Sequence, residues 1–248
     1  MRRTHKTLLT KWKLILGFTL LPVVAGPAWV QEPPSPEPPP QETSSQEPPS
    51  ANELAKEISN PVTSLWQLQI QSNNLRLETG NSYPTDGKWV NNLYFQPVMP
   101  VSLTKKLNLI TRPVITIYNS VPYPTGPSSS ARETTFGDMT FANVLSPAGT
   151  EPWIFGVGPT WIFPTAGSDL TGQGKWQVGP AFGGGYITNR FMIAAFAQQW
   201  WSFAGDDDRK STSQLSLLPL VYCFFGDGWS VGYSGSILAD WEAESGEK

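Results

Sequence analysis

The feature that most constrains the fold of this chain is an alternation of bulky and small residues that begins at Val62. Its clearest stretch is WIFGVGPTWIF at 153–163, where every second residue is bulky and those between include small ones. The bulky positions are Trp153, Phe155, Val157, Pro159, Trp161 and Phe163, and the small ones include Gly156, Gly158 and Thr160. Because successive side chains of a β-strand point to opposite faces, this period of two predicts a strand with one bulky and one small face.

Nine segments of this kind follow one another, and they predict an all-β fold built from an antiparallel sheet. They lie near residues 65–71, 89–99, 107–118, 134–145, 153–163, 176–183, 190–203, 213–225 and 229–241. In a soluble β-sandwich the bulky face would point into the core. In a transmembrane β-barrel it would meet lipid, and the inner face would be polar or small.

Two further patterns favour the transmembrane β-barrel. Tryptophans concentrate near the ends of the predicted strands, as in the aromatic girdles at membrane interfaces. Longer connections at 79–87, 119–133, 164–173 and 204–212 alternate with shorter ones near 102–106, 146–151, 188–189 and 226–228. Outer-membrane barrels alternate long external loops with short periplasmic turns in this way.

The number of predicted strands raises a question of closure. Bacterial single-chain barrels have an even number of strands, because an open edge cannot be exposed to lipid. Nine strands would leave Trp241 at the outer surface, followed by EAESGEK, with no terminal strand that ends in an aromatic residue. We therefore expect the chain to be truncated at its carboxyl end, from a full barrel of about 10 to 12 strands.

Residues 1–28 are predicted to be a secretory signal peptide. Five basic residues and His5 precede an apolar run from Leu14 to Ala25. That run has about 12 residues, short of the roughly 20 that a transmembrane helix needs, and small residues suited to cleavage follow it. We therefore expect export, followed by insertion into the outer membrane of a diderm bacterium.

Three regions are predicted after the signal peptide. Residues 29–50 read as a disordered Pro/Glu-rich linker, because 31–50 holds eight prolines and four glutamates and has no basic or aromatic residue. Residues 51–61 predict a short amphipathic helix that the Asn60-Pro61 pair ends. The barrel is predicted to occupy 62–248.

Charge and residue usage exclude several classes of function. Five of the 17 basic residues lie in the predicted signal peptide, which leaves 12 against 20 acidic residues and a net charge of −8. Nucleic acid is therefore not expected as a partner. His5 is the only histidine, so the exported chain has none for Ser-His-Asp catalysis or for a His-ligated zinc site. We predict no enzymatic activity, no cofactor and no metal site.

Several segments together carry a resemblance to a known family. They are ANELAKEISNPVTSL at 51–65, LITRPV at 109–114, FGD at 136–138, WIFGVGPTWIFPTA at 153–166, GKWQVGP at 174–180 and WSFAGDDDR at 201–209. In these the chain resembles an outer-membrane β-barrel family labelled as a meta-pathway phenol-degradation protein, whose members also carry the labels "neuromedin U" and "transporter". The resemblance implies the passage of small, often hydrophobic or aromatic molecules across the outer membrane. It also implies further strands beyond Trp241.

Six polar residues are candidates for lining the lumen and contacting a solute: Gln67, Gln69, Arg112, Asp138, Thr160 and Gln177. Charged side chains inside a barrel set ion selectivity or orient a solute. Arg112 and Asp138 could instead pair with each other to satisfy the interior.

A second set of candidates lies in an external loop and comprises Asp206, Asp207, Asp208 and Arg209. Three adjacent carboxylates could chelate a divalent cation such as Ca²⁺. They lack the alternating spacing of a dedicated calcium loop, so a solvated loop is the preferred interpretation.

These observations lead to a predicted function. We expect a passive outer-membrane channel for small solutes, with outer-membrane lipid and the barrel-assembly machinery as its other partners. Two alternatives remain open at this point. One is a non-conducting structural barrel with a periplasmic tether, and the other is a soluble β-sandwich that acts as a binding module.

Overall fold

A computed structural model describes residues 49–77 and 84–242 of the chain. The predicted signal peptide and all but the last two residues of the linker lie outside the described residues. The elements are α1 (Ala51–Ser59), β1 (Gln67–Arg76), β2 (Trp89–Thr104), β3 (Leu107–Pro124), β4 (Ser130–Phe136), β5 (Met139–Pro147), β6 (Trp153–Phe163), β7 (Lys175–Ile187), β8 (Phe191–Gly205), β9 (Ser213–Gly226), β10 (Trp229–Ser234) and β11 (Ile237–Asp240).

The strands form a single antiparallel sheet that curls into a half-barrel. Its order is β1-β2-β3-β5-β6-β7-β8-β9-β10, which follows the chain except that β4 and β11 lie off this path. β4 precedes β5 and pairs with the far part of β3, while β11 follows β10 and pairs with β9. The sheet therefore has nine strand positions, and the predicted all-β antiparallel fold preceded by a short helix is confirmed.

The connections alternate in length, with one correction to the prediction. Two-residue turns, Lys105-Lys106 and Asp227-Gly228, join β2 to β3 and β9 to β10 at one end of the sheet. Longer segments join β6 to β7 and β8 to β9 at the other end. The predicted loop at 119–133 is wrong over most of its length, because β3 and β4 continue to pair there as a projecting hairpin. We call the two ends of the sheet the short-turn end and the long-loop end.

Where the alternation is clearest, the bulky residues face outward and the small or polar ones face inward. In β6, Trp153 is 62% exposed and Val157 is 59% exposed, whereas Ile154 and Thr160 are buried. The same arrangement holds in β1, where Leu68 and Ile70 are exposed and the glutamines that alternate with them are half-buried. A sandwich would require two stacked sheets with the bulky faces between them. The described residues form one sheet, and its bulky face points away from the enclosed side.

The inner face needs small residues because the strands approach closely as the sheet curls. A Cβ atom added at Gly158 would lie 1.8 Å from the carbonyl oxygen of Asn143 on β5, and one added at Gly179 would lie 1.8 Å from that of Gln199 on β8. A side chain cannot occupy either position without a shift of the backbone. The glycines therefore form part of the geometry of the sheet.

Helix α1 begins and ends at strong local signals. Ser50 caps its first turn, and its side-chain oxygen accepts from the Glu53 backbone N–H while the Glu53 carboxylate accepts from the Ser50 backbone N–H. The Glu53 carboxylate accepts hydrogen bonds from both the backbone N–H and the hydroxyl of Ser50, and these two bonds lower the pKa of Glu53 below its usual value. Asn60 adopts an extended conformation before Pro61, so the helix ends at Ser59. No helix among the described residues is both long and apolar enough to cross a bilayer.

Candidate functional site on the inner face of the sheet

The inner face of the sheet divides into a polar part and an apolar part. Polar side chains line it on β1, β2 and the middle of β3, whereas β5 to β9 supply most of a buried apolar cluster. Members of that cluster include Val144, Ile154, Ala181, Met192, Ala194, Phe196 and Phe224. Two of the candidates for the lumen, Gln67 and Gln69, lie in the polar part.

The glutamines of β1 are joined by hydrogen bonds along the strand. Gln67 donates to the backbone carbonyl of Glu57 in α1 at 2.9 Å, and Gln69 donates to Gln67 Oε1 at 2.8 Å. Gln71 donates to Asn73 at 2.7 Å and accepts from Gln96 of β2 at 3.3 Å. This polar ladder follows directly from the alternation, which places every second residue of QLQIQSN on the inner face.

Arg112 lies at the centre of the polar part. Its Nη2 donates to Gln96 Oε1 at 2.6 Å, and its buried Nε has no acceptor among the described residues. The side chain is half-buried on the inner face of β3, opposite Ala142 of β5. Gln96 is itself 4% exposed and is held from the other side by Gln71.

Thr160 is a hydrogen-bonding centre in the apolar part. It is completely buried, and its hydroxyl oxygen accepts from Gln198 Nε2 at 2.7 Å and from Trp200 Nε1 at 3.1 Å. Gln177 is also buried and donates to Gln173, while its Oε1 has no partner among the described residues. The structure thus places both candidates on the inner face, where Thr160 ties β6 to β8.

Asp138 does not pair with Arg112, so the pairing considered from the sequence is wrong. It lies between β4 and β5 at the long-loop end, where its two oxygens accept from the backbone N–H groups of Gln173 at 2.7 Å and Ala166 at 3.2 Å. Burial raises the pKa of Asp138, although these backbone donors and the nearby Arg209 act in the opposite direction. The carboxylate fastens the β6–β7 loop to the sheet.

An open cleft of about 320 Å³ lies beside Asp138 at the long-loop end. Its lining includes Asp138, Ser168, Asp169, Gly172 and Arg209. Arg209 pairs with Asp169 at 2.9 Å, so the two side chains partly neutralise each other. The Asp138 carboxyl group also lines the cleft, so the cleft offers a solute backbone and hydroxyl contacts together with one acidic group.

The other external-loop candidates point into solvent. Asp206, Asp207 and Asp208 are exposed in the β8–β9 connection, and an Asp206 oxygen accepts from the Asp208 backbone N–H at 3.0 Å. Within the described ranges, no three acidic, histidine or cysteine side chains gather as a metal ion would require. The geometry of this loop therefore provides no basis for a calcium site.

Helix α1 and the residues that follow it enter the space enclosed by the sheet. Val62 and Ala55 belong to the buried apolar cluster of the inner face. A Cβ atom added at Gly156 or Gly183 would lie 3.2 Å or 3.1 Å from Val62 Cγ1, so these glycines make room for Val62. Lys56 anchors the helix by donating to Asn189 in the β7–β8 turn at 3.1 Å. We call residues 51–65 the inner segment.

Several residues of the site were missed in the sequence. Gln96 and Gln198 hold Arg112 and Thr160 respectively, and the inner segment fills part of the interior. Gln96 and Gln198 lie at inward positions of their strands, so the alternation alone could have identified them. The position of Val62 carries no comparable signal, because it depends on contacts far along the chain.

Comparisons of the chain with protein-family models, with curated proteins and with solved structures find no match.

Proposed function

We propose that this chain forms the wall of an outer-membrane β-barrel that admits small solutes, as in the family of phenol-degradation barrels that its sequence resembles. The observation that carries the proposal is the outward orientation of the bulky apolar residues. Phe225 is 69% exposed and Trp229 is 75% exposed, and many outward neighbours on other strands are also largely exposed. Soluble monomers rarely expose apolar surface on this scale, whereas lipid would cover it at no cost.

The outward tryptophans support the same proposal by their positions. Trp66, Trp153 and Trp229 lie at the short-turn end, and Trp89, Trp176, Trp201 and Trp241 lie at the long-loop end. Tryptophan favours the two interfaces of a bilayer. In β6, the 11 residues from Trp153 to Phe163 connect these two levels. A tilted transmembrane strand needs about 9 to 11 residues.

The inner face supports passage of a solute rather than catalysis. It presents amide and hydroxyl groups on β1 and β2, and it has small residues where the strands approach closely. Such groups can replace part of the hydration shell of a small molecule without binding it tightly. The proposal has three parts, which are location in the outer membrane, assembly by the barrel machinery and transport of small solutes.

A second candidate function is a structural barrel that does not conduct. The specific observation that favours it is the inner segment, which occupies part of the enclosed space with Val62 and Ala55. A fixed inner segment would obstruct a solute path, whereas a movable one would regulate it. The two functions therefore predict different permeability for the same protein.

Swelling of proteoliposomes tests the proposal. The full chain is reconstituted, and the vesicles are diluted into isosmotic solutions of neutral sugars of increasing size. A channel gives swelling rates that fall as the sugar becomes larger. Val157→Lys, which places a charge on the outward face, should prevent insertion and abolish swelling. Inserted protein without swelling would favour the structural barrel.

A further inference from the structure

The guanidinium of Arg112 has too few partners for its position. Its only hydrogen bond to a described residue is the one from Nη2 to the neutral Gln96 amide, and its buried Nε has no acceptor. No described carboxylate lies within ion-pair distance of it, because the acidic groups near the sheet bond elsewhere. Arginine keeps its charge in proteins, so this charge lies partly buried without a counter-ion among the described residues.

The other described arginines near the sheet are better satisfied or more exposed. Arg209 pairs with Asp169, and Arg132 donates to the Trp89 carbonyl at 2.9 Å and to Ser120 Oγ at 2.8 Å. Arg190 lies exposed in the β7–β8 turn. A charge held away from water is costly unless an opposite charge or several hydrogen bonds compensate for it. Among these arginines, Arg112 is therefore the one at which an anion would gain the most.

The surroundings of Arg112 fix its orientation and place small residues opposite it. Gln71 accepts from Gln96 Nε2, which directs Gln96 Oε1 toward the guanidinium. The residue opposite Arg112 on β5 is Ala142, and the next inward position on β6 is Thr160, which faces Gly179 of β7. Ala142 and Thr160 are themselves buried, whereas Arg112 is only partly buried, so part of its side chain is accessible from the enclosed space.

We infer that Arg112 is a binding site for the carboxylate of a small organic anion, and this inference rests on the proposed role as a barrel that admits small solutes. The planar guanidinium offers parallel N–H donors that match the two oxygens of a carboxylate. A neutral solute of the same shape lacks the charge that compensates Arg112. The site thus selects organic acids among the solutes that enter the barrel.

Calorimetric titration of the full chain in detergent tests the inference, with benzoate as the probe and benzamide as its neutral analogue. Benzoate should bind saturably, and benzamide should not. Arg112→Gln should weaken benzoate binding by about tenfold or more, and Arg112→Lys should weaken it less because the charge remains. Arg190→Gln, which removes an exposed arginine, should leave the affinity unchanged. Far-UV circular dichroism verifies that each variant keeps its β structure.

The outcomes separate this inference from the proposed function. Benzoate binding that survives Arg112→Gln, equal binding of benzamide, or no binding to the folded chain would each overturn the carboxylate site. Benzoate binding that depends on Arg112, in a protein that produces no sugar swelling, would retain the site and reject the channel. Swelling without benzoate binding would retain the channel and reject the site.

Discussion

Trp200 and Trp201 are consecutive residues of β8 that lie in opposite environments. Trp200 is 6% exposed, and its indole N–H donates to the buried hydroxyl of Thr160 at 3.1 Å. Trp201 is 50% exposed on the outer face. If the outer face contacts lipid, one of these indoles is immersed at the bilayer boundary and the other is shielded by the protein.

Brominated lipids distinguish the two tryptophans, because bromine quenches only nearby indoles. In vesicles that contain such lipids, Trp201→Phe should remove quenched emission and lower the quenched fraction of the total. Trp200→Phe should remove protected emission and raise that fraction. The measurement compares each variant in brominated and ordinary phosphatidylcholine. Equal changes in both variants would contradict a lipid-facing outer surface.

The alternation in the sequence was sufficient to predict most of the sheet. It predicted nine strand positions and the inward placement of Gln67, Gln69, Arg112, Thr160 and Gln177. This succeeds because strand geometry is local, so that one residue's face fixes the faces of its neighbours. The face that points outward could not be settled by alternation alone, since a sandwich core uses the same pattern.

Contacts between distant residues were the part that the sequence could not predict. Asp138 was expected within a strand at 134–145, but it lies in the connection between β4 and β5 and accepts from the backbone of Gln173 and Ala166 instead of pairing with Arg112. The extension of β3 and β4 through 119–133 was missed because its several prolines and glycine resemble a loop. Pro122 and Pro124 nevertheless lie opposite Arg132 and Ser130 of β4, beyond a register shift between Tyr118 and Val121.

Gly158 should be among the residues least tolerant of substitution. A Cβ atom there would lie 1.8 Å from the Asn143 carbonyl oxygen, so Gly158→Ala must displace β5 from β6. We expect a loss of about 3 kcal/mol in the free energy of unfolding, at the upper end of overpacking effects. Urea unfolding monitored by tryptophan fluorescence measures it.

Gly126→Ala provides the control for Gly158→Ala. Its added Cβ would meet only the side-chain oxygen of Ser129, which can rotate away in the β3–β4 loop. The free energy of unfolding should change by less than about 0.5 kcal/mol. If both alanine variants unfold at the same urea concentration, close approach of the strands at Gly158 is not a constraint.

Asp138 should make stability depend on pH in a defined direction. Burial raises its pKa in the folded chain, so the folded state holds the proton more tightly than the unfolded state does. Its contribution is therefore present below the unfolded pKa and is lost as pH rises through the folded pKa. The free energy of unfolding of the wild type, relative to Asp138→Asn, should fall between about pH 3.5 and pH 7.

Urea titrations of both proteins at the two pH values measure this difference. Asp207→Asn removes an equal charge at an exposed position and serves as the control for net charge. A difference between wild type and Asp138→Asn that stays constant with pH would argue against the burial of this carboxyl group. A difference that grows with pH would reverse the sign of the expected linkage.

Val62→Asp tests whether the inner segment limits permeability. Val62 belongs to the apolar cluster and fits against Gly156 and Gly183, so a carboxylate there would be buried without a partner at a cost of several kcal/mol. We expect the inner segment to leave the interior, because its other anchors are the small Ala55 side chain in the cluster and a few hydrogen bonds such as that from Lys56 to Asn189. Sugars should then enter proteoliposomes faster, and larger sugars should begin to enter.

Ser64→Asp is the matched control for Val62→Asp. It adds the same charge two residues along the chain, at an exposed position outside the apolar cluster. Its swelling rates should equal those of the wild type. If Val62→Asp swells no faster than Ser64→Asp while keeping its β structure, the inner segment does not obstruct the solute path. A faster rate restricted to Val62→Asp would show that residues 51–65 set the permeability of the barrel, because the two variants differ only in where the carboxylate lies.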